Sequence, residues 1–139
     1  PLGDLLLGAA DVRRAASESG DSIEMAARRL RHEFLAQSAS TLGLDHVAVH
    51  GCRVETLTIP PVGVISARAF APLPKLFASA LRFSRKKTLW LLPKGRSAKE
   101  ELESATGAWQ GVFHVEQSLT DPDAAIIVAK GVRPEAKTR

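Results

Sequence analysis

Residues 88–92 read TLWLL, five positions without a charge, between the cationic pair Lys86-Lys87 and Lys94. A run this apolar and this short reads as a strand buried on both faces, of the kind found in parallel sheets. Such a strand needs neighbours and covering helices. The rest of the chain therefore has to supply an alternation of strands and amphipathic helices.

It does. Residues 5–16 carry apolar positions 5, 6, 9, 12, 15 and 16 near helical spacing, followed by a polar break at 17–22 (SESGDS). Ser22-Ile23 reads as a very short strand with Glu24 at its C-terminal end. Residues 26–42 predict a helix whose stripe is Ala27, Leu30, Phe34, Leu35, Ser38 and Leu42, with Gly43 as its stop. Residues 46–50 (HVAVH) alternate like a strand ended by Gly51. A strand at 62–66 leads into a helix at 73–81 that opens on Pro72 and Pro74.

After the basic connection 82–87 and the TLWLL strand, Ser97 with Glu100 fits a capping box that opens a helix ending near Thr106. Strands at 112–115 and 124–130 flank Asp121-Pro122-Asp123, a turn signal that predicts an antiparallel pair. The expected fold class is α/β, with a mainly parallel sheet closed by an antiparallel pair. One domain is expected over 1–131, followed by a polar tail at 132–139. The glycine-rich turn of a nucleotide-binding α/β domain is missing: Gly3 and Gly8 do not form G-x-G-x-x-G.

Charge and composition narrow the partners. A length of 139 residues suits one domain with a real core, and a net charge of +4 favours a polyanion. Five Phe, two Trp and no Tyr argue against a surface that stacks several bases. Cys52 is the only cysteine, so no intrachain disulfide forms and a reducing cytosol fits. No apolar run approaches the ~20 residues of a membrane span. Leu5-Leu6-Leu7 is too short for a secretory signal and lacks its basic flank. A cytoplasmic protein is expected.

The stretches "IEMAARRLRHEFLAQSASTLGL", "RVETL", "GVISARAFAPL", "LLPKGR" and "SLTDPDAAIIV" occur in an order and spacing that resemble the bacterial RsmG (GidB) methyltransferases, over residues 23 to about 130. That family transfers a methyl group from S-adenosylmethionine (SAM) to guanine N7 in 16S ribosomal RNA. The resemblance implies a Rossmann-like methyltransferase sheet with a reversed last strand. It also implies N-terminal helices, a first strand and a glycine-rich SAM loop upstream of this text, so the expected fold is incomplete at its N-terminus. The chain departs from the family at Val62-Gly63, where an acidic residue is common. The segment "SIEMAARR" is also less apolar than the family's second strand.

The resemblance assigns roles residue by residue. Glu24, at the end of the candidate second strand, would accept hydrogen bonds from the ribose hydroxyls of SAM. Its other reading is an acid that complements the macrodipole of the following helix. Val54 and Glu55 would lie beside the adenine, and Arg53 would face the reaction centre. The alternative for Arg53 is a surface ion pair with Glu55. Arg68, just past the fourth family strand, would grip an RNA phosphate or donate to guanine O6, but not to the N7 lone pair that attacks the methyl group. The alternative is a structural arginine that holds its loop through carbonyl contacts. Lys94 and Arg96 of "KGR" are carried over as RNA-binding cations, with Gly95 permitting a close turn.

This chemistry asks little of side chains. Guanine N7 is unprotonated at neutral pH, so alignment and charge stabilisation suffice without a general base. His46, His50 and Cys52 share a strand face but lack the spacing and the fourth ligand of a metal site. Arg82, Arg85, Lys86 and Lys87 either touch RNA phosphates or form a solvated loop. The leading expectation is a SAM-dependent guanine-N7 methyltransferase acting on small-subunit ribosomal RNA. The alternative is a non-catalytic RNA-binding or scaffolding domain that has lost the SAM loop. A sheet without its central first strand would expose apolar flanks and favour a homodimer.

Overall fold

The structure, a computed structural model, describes residues 9–20, 22–68 and 70–136, with side chains described from residue 14. It divides into two compact units, residues 1–53 and 54–139.

In the N-terminal unit, helix α1 (Ala9–Ser19) packs on helix α2 (Ile23–Thr41), with Ala16 and Ala26 buried. The part of the expected first helix at residues 5–8 lies outside the described residues. α1 continues through Ser17-Glu18-Ser19, expected as a break. Arg14 and Glu18 pair one turn apart at 4.0 Å, and the Ser19 hydroxyl donates to the Ala15 carbonyl at 2.8 Å. It is Gly20, at φ 72°, that ends the helical run.

The short strand expected at Ser22-Ile23 is not formed. Ser22 is extended (φ −65°, ψ 154°) and its hydroxyl accepts from the Met25 N–H at 3.3 Å, making it the N-cap of α2. Helix α2 therefore starts at Ile23, three residues before the expected start. At its other end, Gly43 (φ 66°) makes a Schellman motif: Gly43 N–H donates to Ser40 and Leu44 N–H to Ala39, at 3.0 and 2.9 Å. The strand expected at 46–50 is also absent. A strand needs a ladder partner, and this unit has none among its described residues. The segment turns at Leu44–Val47 and reaches α2 at Gly51, where an added Cβ would meet His32 Nδ1 at 2.8 Å.

The C-terminal unit contains strand β1 (Val64–Ser66), helix α3 (Leu73–Ala80), strand β2 (Leu89–Lys94), helix α4 (Ala98–Thr106), strand β3 (Trp109–Gln117) and strand β4 (Ala125–Pro134). Short 3-10 turns lie at Val54–Thr56 and Leu81–Phe83. The sheet order is β1-β2-β4-β3, with β1 parallel to β2 and β4 antiparallel to both β2 and β3. Three strands thus share one direction and the last strand, reversed, is inserted between β2 and β3. This is the expected α/β class.

α3 presents Leu73, Leu76, Phe77 and Ala80 at helical spacing, all buried against Trp90, Leu92, Ile127 and Ala129 of the sheet. Burial of each large side chain contributes roughly 1.5–3 kcal/mol. Phe77 is the hub: its ring meets Trp90 edge-on at 5.4 Å and Trp109 at 5.5 Å. α4 adds Ala98 and Ala105 to the same core. The TLWLL strand is buried less symmetrically than its composition predicts. Trp90 and Leu92 are fully buried, while Leu89 and Leu91 on the other face are half-buried.

Several boundaries and one cap differ from expectation: β3 extends beyond the expected 112–115 at both ends, and β1 forms only over 64–66 of the expected 62–66. Ser97 has ψ 12°, unsuited to an N-cap, and its hydroxyl donates to Glu101 Oε1 at 3.2 Å instead of bonding the helix backbone. β4 runs to Pro134, four residues beyond Lys130, so the expected tail is ordered structure through Glu135, whose N–H donates to the Ala108 carbonyl at 2.8 Å. Residues 137–139 lie outside the description. Among the described residues no helix is long and apolar enough to cross a membrane.

Candidate active site

β1 and β2 are parallel neighbours, and a cleft of about 780 Å³ is lined by Lys94 at the C-terminal end of β2 and by Arg68, two residues beyond the end of β1. Ligands of open α/β sheets bind at this end of the strands. Arg68, Phe70, Lys94, Glu101, Thr120 and Asp121 line it. The loop leaving β1 passes along the cleft and enters α3 at Pro72, whose fixed φ (−54°) suits the entry.

Arg68 is exposed on this loop and makes no hydrogen bond or ion pair with any described residue. The carbonyl-holding role considered for it belongs to another side chain. Lys94 Nζ donates to the Ala71 carbonyl at 3.1 Å and pairs with Glu101 Oε2 at 2.7 Å. Only 11% of the Lys94 side chain is exposed, so its charge is largely committed to these partners. Lys94 thereby ties the end of β2 to the loop and to the first turn of α4.

Arg96 stands in solvent beyond Gly95 and pairs with Asp123 at 2.8 Å. Asp121 accepts from the Asp123 N–H at 2.9 Å, which fixes the turn before β4. Phe70 is about half exposed (49%) beside Arg68 and offers an apolar face to a ligand.

The cofactor residues expected from the sequence are placed differently. Val54 and Glu55 lie in a 3-10 turn, and neither lines the Arg68 cleft. Val54 packs on the core. The carbonyls of Glu55 and Leu57 accept from the Arg82 guanidinium, with the Glu55 bond at 2.7 Å. Arg82 therefore braces this turn and is not simply part of a solvated basic loop. Glu24, in the N-terminal unit, sits in the first turn of α2 and pairs with Arg28 one turn on at 3.3 Å. That is the placement of an acid complementing a helix N-terminus. Arg53 is an exposed residue in the last stretch of the same unit. The strand end expected at Ser22-Ile23 to offer Glu24 to a ribose is not formed; Glu24 stands on α2 instead.

Sequence reading missed Glu101 and Phe70. Glu101 had a usable signal: α4 follows β2 after three residues, so an acid in its first turn must lie near the strand's last cation. Among the described residues no group of three or more His, Cys, Asp or Glu is arranged to hold a metal ion.

The family model described as "rRNA small subunit methyltransferase G" matches residues 22–131. Curated proteins named ribosomal RNA small subunit methyltransferase G are similar to the chain. The one from Rhizorhabdus wittichii is 58% identical over 111 residues, covering 79% of this chain and 51% of its own length. The one from Erythrobacter litoralis is 51% identical over 104 residues, covering 75% and 50%. The one from Novosphingobium aromaticivorans is 54% identical over 103 residues, covering 74% and 45%. The chain thus spans about half the length of the curated relatives it matches.

Proposed function

The chain belongs to the GidB family, rRNA small subunit methyltransferase G, and from that premise we propose that it carries the RNA-facing part of a SAM-dependent methyltransferase acting on guanine N7 of small-subunit ribosomal RNA. The observation that carries this reading is the cleft at the ends of β1 and β2, lined by Arg68, which has no partner among the described residues, with Lys94 holding the loop at Ala71. The proposed compartment is the cytoplasm.

In this reading SAM supplies an electrophilic methyl group when bound. Methyl transfer to N7 would need its lone pair free of hydrogen bonds and the charge developing on the purine stabilised. No proton needs to move, so the reaction asks no general base of the cleft. Arg68 donates to guanine O6 or to a neighbouring phosphate and so orients the base without occupying N7. Phe70 covers one side of the bound base. Lys94 acts on the RNA chiefly by holding the Ala71 carbonyl, and with it the path of the Arg68 loop. Arg96 of the same unit is proposed as a further RNA-binding cation, and Arg53, in the N-terminal unit, keeps its proposed catalytic role by family resemblance alone.

A second reading rests on Glu24. Its place on α2, paired with Arg28, suits a domain that binds RNA without using the cofactor. Calorimetric titration of the intact protein with SAM separates the two. Micromolar binding, about −8 kcal/mol, supports the methyltransferase. Absence of binding, alongside retained RNA binding, supports the scaffold.

A further inference from the structure

A second cationic cleft opens at the opposite end of the same sheet. Its volume is about 950 Å³, and Arg85, Lys86, Lys130 and Arg133 stand on it around a floor that includes Trp109 and Val132. The register explains why they meet. Lys130 lies opposite Leu89 on β2, so the turn that precedes β2 adjoins the residues that follow Lys130. A Cβ added to Gly131 would come 4.0 Å from the Lys86 carbonyl.

A bulge in β4 builds the cluster. Gln110 pairs with Arg133 and Val112 with Lys130, so two residues of β4, Gly131 and Val132, oppose the single Gly111. Gly131 takes the left-handed conformation (φ 61°) that this type of bulge requires. Strand alternation is thereby re-phased: Ile127, Ala129 and then Val132 face the core, while Lys130 and Arg133 are both exposed. A regular strand would place Lys130 and Arg133 on opposite faces. Bulges of this kind are enriched beside functional sites, where they re-aim side chains.

Electrostatics indicates the occupant. None of the four cations forms an ion pair with a described residue, and each is exposed. The single acid on the cleft, Glu135, is engaged by the Gln110 side-chain amide at 2.8 Å. Uncompensated cations converging from two segments match a chain of phosphates.

We propose that this cleft is a second RNA-binding site, taking the phosphodiester backbone of the same ribosomal RNA at a distance from the nucleotide held by Arg68. The two clefts are separated along β2 by five residues, about 17 Å at ~3.3 Å per residue, or roughly three nucleotides of extended strand. The inference rests on the RNA methyltransferase reading. It adds a contact that raises affinity for the RNA without touching the reacting base.

The test is the triple variant Lys86→Gln, Lys130→Gln, Arg133→Gln of the intact protein. Binding to small-subunit ribosomal RNA is measured across a salt series, with methylation kinetics alongside. Expected is an affinity loss of about tenfold or more near 0.1 M salt, and a log–log salt slope shallower by about 2. The Michaelis constant for RNA rises while kcat at saturating RNA and the affinity for SAM are unchanged. A variant that binds RNA with wild-type affinity and slope, while the wild type binds and methylates, overturns this site alone. A wild-type protein that binds no ribosomal RNA instead overturns the underlying functional reading, and this site with it.

Discussion

Lys94 Nζ and Glu101 Oε2 lie 2.7 Å apart and join the last residue of β2 to the first turn of α4. The same ammonium holds the Ala71 carbonyl. One cation therefore fixes three segments around the Arg68 cleft. Removing its partner leaves a mostly buried charge, and a hydrogen bond to a charged group contributes about 1.5–3 kcal/mol. Glu101→Gln is expected to destabilise the protein by about that amount in chemical denaturation. Lys94→Met with Glu101→Leu, which removes both charges, should recover part of the loss.

Thr88 makes a comparable junction on the other side of the core. It is 1% exposed, donates to the Val62 carbonyl at 2.6 Å and accepts from the Arg85 N–H at 2.8 Å. Thr88→Val keeps the shape and abandons both backbone groups. The expected cost is about 1–3 kcal/mol, read as a lower denaturation midpoint with an unchanged slope.

Trp90 is fully buried and its Nε1 has no hydrogen-bond partner among the described residues. Replacement by phenylalanine removes an unsatisfied donor along with some contact area, whereas alanine leaves a large cavity. Unfolding free energies should show Trp90→Phe costing less than about 2 kcal/mol and Trp90→Ala about 3–5 kcal/mol.

At the head of α2, Ser22 caps the backbone while Glu24 pairs, among the described residues, with exposed Arg28 alone. Ser22→Ala is expected to cost about 0.5–2 kcal/mol, and Glu24→Gln less than about 1 kcal/mol. Thermal unfolding of the two variants gives the ranking directly.

Much of the C-terminal unit was legible because its signals are local. The apolar run at 88–92, the stripe Leu73-Leu76-Phe77-Ala80 and the turn at Asp121-Pro122-Asp123 each specify one element. The failures involve competition between local structures. Ser22 reads equally as a strand residue and as a cap, and the hydroxyl bond to Met25 decides for the cap. HVAVH alternates, yet alternation forms a strand only when another strand supplies the ladder. The site was half legible. Arg68 follows from its place after an apolar run, but the partners of Lys94 depend on a loop carbonyl and a helix turn brought together by the fold. The β4 bulge was hidden because one glycine in a strand does not reveal which neighbours it re-aims.

The most direct measurement is chemical strand scission at N7-methylguanosine in small-subunit ribosomal RNA incubated with SAM and the intact protein. Wild type is compared with Arg68→Ala. Arg68 is exposed and without a described partner, so its removal should leave unfolding within about 0.5 kcal/mol of wild type. Scission at a single guanosine with the wild type, reduced about 100-fold or more in kcat/KM by Arg68→Ala, is the predicted result. Scission by Arg68→Ala at the wild-type rate would contradict the role given to this cleft, and no scission with the wild type would contradict the methyltransferase itself.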